Sequence, residues 1–397
     1  MKIDRISDLE KKYVLESLDG QFETHNNYKF VVRLEKEFAE KMGTKHAVGF
    51  INGTTTLHAA LEAANIGAGD EVIVPPLTMS STSFGVLHAN ATPVFADVDE
   101  KTFLLSANSI EEKITDRTKA IIVVSLFGLM ADMDAIMEIA KKHNLVVIED
   151  DAQCFLGKYK GKNAGTIGDM ASFSFQASKH MTCGEGGMVT TNSDKYALRL
   201  RRVSGLGYGS ITMEKARITK DDIQNPAYER HVEMGWNYRM SDLCGAVALG
   251  QLERLEELNK FRIYAGKAFE NAVEGCDWLI PQYTPQECEH VYWAAAIRMA
   301  NPKISWYDFR KKYMELGGDG IYAAWQLTYL EPAFRNKSFL GREKIMEQYS
   351  NIDYKKGLCP VAEMIQPQLL QFKTNYWDTD EADKQADILR KTIKFFN

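Results

Sequence analysis

Apolar residues recur at helical spacing over 30–42, and a short apolar run at 46–50 ends at Asn52-Gly53-Thr54-Thr55. A second helical pattern follows at once through Leu57, Ala60, Leu61 and Ala64, and it stops at Gly67 and Gly69. The cycle then repeats. The pattern predicts strands over 71–74, 93–98, 120–125 and 145–148, separated by helices over 80–89, 110–114 and 133–143. Continuous Val/Ile runs alternating with helices mark a mostly parallel sheet covered on both faces. Two further strands, at 171–175 and 188–191, flank a glycine cluster, and a helix is predicted over 194–203. Periodicity lapses over 204–235, which predicts a long surface excursion. From Ser241 a helical pattern runs through Ala246, Leu249, Leu252 and Leu255 and past Phe261. The remainder does not repeat the alternation. The chain therefore divides into a large α/β domain over 1–250 and a smaller α+β domain over 251–397.

Composition narrows the class without changing this picture. The 397 residues are 45% hydrophobic and 26% charged, an ordinary globular mix that argues against a fibre or extended disorder. Forty-eight Lys+Arg against 54 Asp+Glu leave a net charge of −6, so no bulk nucleic-acid binding is expected, although a few donors suffice for one phosphate. Six cysteines, at 154, 183, 244, 276, 288 and 359, show neither a C-x-x-C pair nor a metal-ligand spacing, which reads as reduced thiols in a cytoplasmic protein with no metal centre. The charged opening MKIDRISDLEKKY lacks the apolar run of a signal peptide, so none is expected. The longest apolar stretch, at 120–131, is well short of the roughly 20 residues that span a bilayer, so no membrane segment is expected.

The glycine ladder from Gly205 to Gly209 lacks the last glycine of a dinucleotide fingerprint and follows no strand, and there is no P-loop. Three other features point elsewhere. Asn52-Gly53-Thr54-Thr55 joins a strand to a helix, where free backbone N–H groups and hydroxyls can hold a phosphate at the positive helix end, or can serve simply as a cap. Asp150 stands at the carboxyl end of an apolar strand, where open α/β sheets place ligands. Lys179 lies just past FSFQAS and before Gly184-Glu185-Gly186-Gly187; a lysine in an apolar pocket loses its proton readily and becomes a nucleophile. Alone, each has a plain structural reading. Together they are the parts needed to bind pyridoxal phosphate: a phosphate cradle, a carboxylate that keeps the pyridine nitrogen protonated, and an amine that forms a Schiff base.

The chain resembles the DegT/DnrJ/EryC1/StrS family of sugar aminotransferases, which have the aspartate-aminotransferase fold of pyridoxal-phosphate enzymes (fold type I). The resemblance runs from about Phe22 to Leu255 through INGTTTLHAAL (51–61), GDEVIVPPLT (69–78), PVFADVD (93–99), TKAIIVVSLFG (118–128), VIEDDAQ (147–153), FSFQASKHMTCGEGG (173–187) and GWNYRMSDLCGA (235–246). It implies that Lys179 carries the cofactor and moves protons, that Asp150 pairs with the pyridinium nitrogen, and that Gln153 reaches the ring's phenolic oxygen. Ser174, with Gly53 and Thr54, would hold the phosphate. Asn237 would reach the cofactor phosphate of a neighbouring subunit, which implies a homodimer with shared active sites. Arg239 would face an anionic substrate or brace that dimer.

The resemblance also frames the departures. Met79 stands where an aromatic residue often stacks on the cofactor ring, and Asp151 where a small residue is usual. Some proteins of this fold replace the lysine with histidine and act as dehydratases; here Lys179 holds that position and His180 merely follows it. A non-catalytic regulatory relative is the other alternative. In the loosely matching C-terminal third, Trp325, Gln326, Tyr329 and Tyr322 are candidate substrate contacts, with Trp293 a further one. The implied partners are glutamate and a keto or aldehyde sugar, with either a nucleotide-linked 3- or 4-keto sugar or an 8-oxo octulosonate as acceptor.

Overall fold

In the computed structural model, which describes residues 1–21, 29–212 and 218–397, the predicted alternation becomes one seven-stranded sheet. The strands of the first half are β1 (His46–Phe50), β2 (Glu71–Val74), β3 (Thr92–Phe95), β4 (Thr118–Val124) and β5 (Val146–Asp150). A small hairpin of β6 (Lys158–Tyr159) and β7 (Lys162–Asn163) precedes β8 (Met170–Ser174) and β9 (Gly187–Thr191). The sheet order is β1-β9-β8-β5-β4-β2-β3, with β3, β2, β4, β5 and β8 mutually parallel and β9 antiparallel to both its neighbours. Crossover helices Gly53–Ala63, Ser81–His88, Ala107–Lys113 and Met133–His143 join the strands. This is the mostly parallel α/β architecture that the Val/Ile runs predict.

Two boundaries differ from the pattern for identifiable reasons. Strand β5 continues through Glu149 and Asp150, beyond the predicted end at residue 148. It can bury an acid because the Glu149 carboxylate accepts the backbone N–H groups of Gly165, Ile167 and Gly168 at 3.1, 2.9 and 2.7 Å. The long helical pattern from Ser241 is two helices, Asp242–Glu253 and Leu255–Ala272, broken at Arg254. There the guanidinium turns to the Asp4 and Arg5 carbonyls and to Glu10. Glu10 lies in an additional N-terminal helix, Asp8–Asp19, whose few inward residues, Glu10, Tyr13 and Ser17, leave almost no apolar stripe to detect.

The smaller sheet is antiparallel: β10 (Leu279–Pro281), β12 (Ala294–Met299), β14 (Leu369–Lys373) and β13 (Tyr322–Ala323), in that order, while β11 (Cys288–Glu289) pairs with β6. Helices Leu255–Ala272 and Thr379–Phe396 cover it around Phe269, Phe309, Tyr313, Phe372 and Leu389. Residues between β13 and β14 return to the large sheet. Phe334, Phe339, Tyr354 and Cys359 join its core, and the Phe334 ring stacks on Phe84 with centroids 5.8 Å apart. The C-terminal third is thus shared between two cores. The expected excursion over 204–235 contains a short helix, Lys220–Gln224, and exposes Ile223, Val232 and Met234; its residues 213–217, like the start of the family resemblance at Phe22, lie outside the described residues. Among the described residues no helix is long and apolar enough to cross a membrane.

Candidate active site

The carboxyl ends of β1, β5 and β8 meet at a cavity of about 570 Å³. At one end, Asn52 caps the helix Gly53–Ala63, its Oδ1 accepting the Thr55 N–H at 2.9 Å, which fixes the first helical turn against the cavity. Gly53 must be glycine here, because a Cβ would sit 2.7 Å from the Ser174 Cβ. That close approach brings the N–H groups of the first turn and the Ser174 hydroxyl together as one anion cradle. Thr54 Oγ1 donates to Ser81 Oγ at 3.0 Å, so a second helix start, Ser81–His88, borders the same end.

At the other end stand Asp150 and Lys179. The Asp150 carboxylate accepts from Thr82 Oγ1 at 2.9 Å. Burial raises its proton affinity above the usual carboxylate range, and the Thr82 hydrogen bond and the Lys179 charge partly offset that. Lys179 keeps partial contact with the cavity, but loss of solvation lowers its pKa to about 8; Asp150 and Glu185 pull it up and Arg262 pushes it down. Its Nζ lies 5.0 Å from the centre of the Trp293 ring, and Trp293 stacks on Trp325 at 5.7 Å. The wall continues to Phe127, 6.5 Å from Trp325.

Gln153 is buried and faces the cavity. Its Oε1 accepts the Phe127 N–H at 2.8 Å, and because a backbone N–H needs an acceptor, the amide's NH₂ half is left for a ligand. Met79 also lines the cavity, half exposed at its mouth.

Of the other candidates, Trp325 lines the cavity and five residues do not. Tyr329 is a core residue, fully buried, with its ring on Phe95 and its hydroxyl donating to Glu363. Gln326 is exposed, and its own Oε1 accepts the Leu327 N–H. Tyr322 is exposed on the edge strand β13. Arg239 donates through Nε to Asn237 Oδ1 at 3.0 Å, and Asn237 is exposed outside this chain's cavity.

His180 points into the core, with Nε2 on the Val291 carbonyl at 3.0 Å, and burial keeps it neutral, so Lys179 alone of the two presents a base to the cavity. Asp151 is buried outside the cavity, one oxygen accepting from Ser125 Oγ at 2.6 Å and the other without a partner among the described residues. Burial, reinforced by the neighbouring Glu149 and Asp150 charges, raises its proton affinity well above the usual range. Thr82, Gln176 and Ser178 also line the site. Thr82 has no sequence signal because its partner, Asp150, arrives from another strand, while Gln176 and Ser178 bond each other within the FSFQASK segment.

The chain is similar to known proteins over much of its length. The model of the DegT/DnrJ/EryC1/StrS aminotransferase family matches residues 4–363, beyond both ends of the resemblance read from motifs. GDP-perosamine synthase of Caulobacter vibrioides is 44% identical over 253 residues, a stretch covering 64% of this chain and 64% of that protein. The pleiotropic regulatory protein of Geobacillus stearothermophilus is 31% identical over 374 residues, covering 92% of this chain and 89% of its own length. Among solved structures, the aminotransferase from Psychrobacter cryohalolentis superposes with a TM-score of 0.85 at 29% identity, over 98% of both chains.

Proposed function

The chain belongs to the DegT/DnrJ/EryC1/StrS aminotransferase family, and from that premise we propose that it is a pyridoxal-phosphate-dependent transaminase moving an amine from glutamate to a keto or aldehyde carbon of a sugar. The observation that carries this reading is the arrangement of one cavity: an amine of lowered proton affinity, a buried carboxylate and a helix-start anion cradle. The residues fit the cofactor. Gly53, Thr54 and Ser174 would hold the phosphate, Gln153 would donate to the ring oxygen, and Asp150, already disposed to share a proton, would retain one on the ring nitrogen. When bound, pyridoxal phosphate supplies an aldehyde that takes up amines and a ring that withdraws electrons from the adjacent carbon.

The remaining chemistry belongs to the chain. With its pKa near 8, Lys179 is unprotonated in an appreciable fraction of molecules at neutral pH, so it can act as nucleophile and then carry the proton between carbons. The Trp293–Trp325 wall limits water on the amine's apolar side. Asn237 would complete the phosphate site of a second subunit. The exposed Ile51, Met79, Val232 and Met234 support a homodimer with shared sites. The intact Lys179–Asp150 pair favours catalysis over a purely regulatory role. Borohydride reduction of the cofactor-loaded chain followed by peptide mapping tests the assignment: a phosphopyridoxyl label on any residue but Lys179 refutes it.

Two acceptors are put forward, each on its own observation. The identity to GDP-perosamine synthase favours a nucleotide-linked keto sugar in glycan or lipopolysaccharide synthesis. The stretch AAWQLTY (323–329) and the tail resemble the transaminase that forms 8-amino-3,8-dideoxy-manno-octulosonate, which favours an 8-oxo sugar acid. A glutamate-dependent screen against both classes separates them, and turnover of nucleotide sugars alone removes the octulosonate.

A further inference from the structure

Lys179 is held by its backbone as well as presented by its side chain. Arg262, on the helix Leu255–Ala272, is buried and donates through Nη2 to the carbonyls of Ser178 at 2.7 Å and Lys179 at 3.0 Å. Through Nη1 it donates to the Trp293 carbonyl at 3.0 Å and to Thr374 Oγ1 at 3.2 Å. The Trp293 indole also donates to the Ser178 carbonyl, at 3.1 Å, and Arg5 Nη2 reaches the Lys179 carbonyl at 3.0 Å. No carboxylate pairs with Arg262 among the described residues; the charged group felt most strongly there is another cation, Arg5. An unpaired buried guanidinium is unfavourable, and its planar fork is the one side chain able to reach four acceptors on three segments at once.

We propose that Arg262 is a positioning residue for Lys179, fixing the 178–179 peptide against Trp293 and Thr374 and setting a positive charge behind the reactive amine. The charged groups facing that amine are Asp150 from β5 and Glu185 from the glycine-rich loop, which favour its protonated form, and Arg262, which opposes it. Arg5 touches the Lys179 carbonyl from the N-terminal segment, and the adjacent His180 is neutral. The proposal rests on Lys179 being the reactive amine, but its test requires no turnover.

Full-length chain freed of pyridoxal phosphate is pulsed with acetic anhydride across a pH series. Acetylation of Lys179 is read by mass spectrometry against the exposed Lys36. In Arg262→Met the Lys179 midpoint is expected to rise by about one pH unit, cutting labelling near neutral pH about tenfold. In Arg262→Lys, which keeps the charge and loses the fork, the midpoint should hold while the high-pH labelling rate changes by about threefold or more as the peptide loosens. An unmoved midpoint in the Met variant, or a wild-type plateau in the Lys variant, overturns the proposal. If the Met variant does not fold by circular dichroism, the Lys plateau decides alone. The expected responses in a chain without transaminase activity would uphold this inference while refuting the proposed function.

Discussion

Burial moves Lys179 and Asp150 toward their neutral forms, and the same shift that readies the amine for chemistry couples it to the stability of the cofactor-free chain. Lys179 has a folded pKa of about 8 against an ordinary 10.5, so between those values the unfolded chain holds the extra proton and stability rises with pH. Urea midpoints measured across that window should show Lys179→Met with a flatter rise than wild type; identical slopes would mean another group is responsible. Replacing Lys179 by Ala should lower kcat by at least about a thousandfold. The paired acids should behave oppositely. Asp150→Asn removes a charge from the cavity and should cost about a hundredfold in kcat/KM, whereas Asp151→Asn, outside the cavity, should change it less than about threefold. Steady-state kinetics on both variants checks this, and equal losses would contradict the assignment. Asp150 and Lys179 were legible because strand ends and the FSFQASK segment mark them. Tyr329 and Arg262 were not, since an aromatic at core spacing and a basic residue on an amphipathic helix look the same whatever they touch.

At the scale of elements, the cradle depends on how closely a helix start meets a strand end. A Cβ on residue 53 would overlap Ser174, so Gly53→Ala must push the helix Gly53–Ala63 off β8. The variant should lose about 1–3 kcal/mol of stability and weaken cofactor binding by more than about tenfold. Equilibrium titration of pyridoxal phosphate measures the second effect; wild-type affinity would place the phosphate elsewhere. The alternation of β1 through β5 with their helices was readable because β2, β4 and β5 carry short Val/Ile runs and β1 and β3 are short apolar segments between helical patterns. The break at Arg254 was not readable, because it is set by contacts with Asp4, Arg5 and Glu10 more than two hundred residues away, and the helix Asp8–Asp19 was not readable because its inward face is thin.

Across the whole molecule, the return of the chain after β13 ties the two cores together. Phe334 is buried against Phe84, Phe95, Phe339 and Tyr354, so Phe334→Ala should cost about 3–5 kcal/mol although it lies far along the chain from the large sheet. A urea midpoint shifted by less than half that amount would show the segment to be loosely held. Hydrophobic patterning suggests a division near residue 250, because the strand alternation has ended at Thr191 and only a helical run follows from Ser241. It could not show that later residues rejoin the first core, since the partners of Phe334 are fixed only by tertiary placement. This sharing has a consequence for the order in which the protein is made. All seven strands of the large sheet have been synthesised by Thr191, yet the residues that cover Phe84 and Phe95 leave the ribosome well over a hundred residues later. A nascent chain whose sheet forms as soon as its strands are complete would keep that apolar flank uncovered until residues beyond Pro332 emerge, an interval in which chaperones and premature truncation weigh heavily.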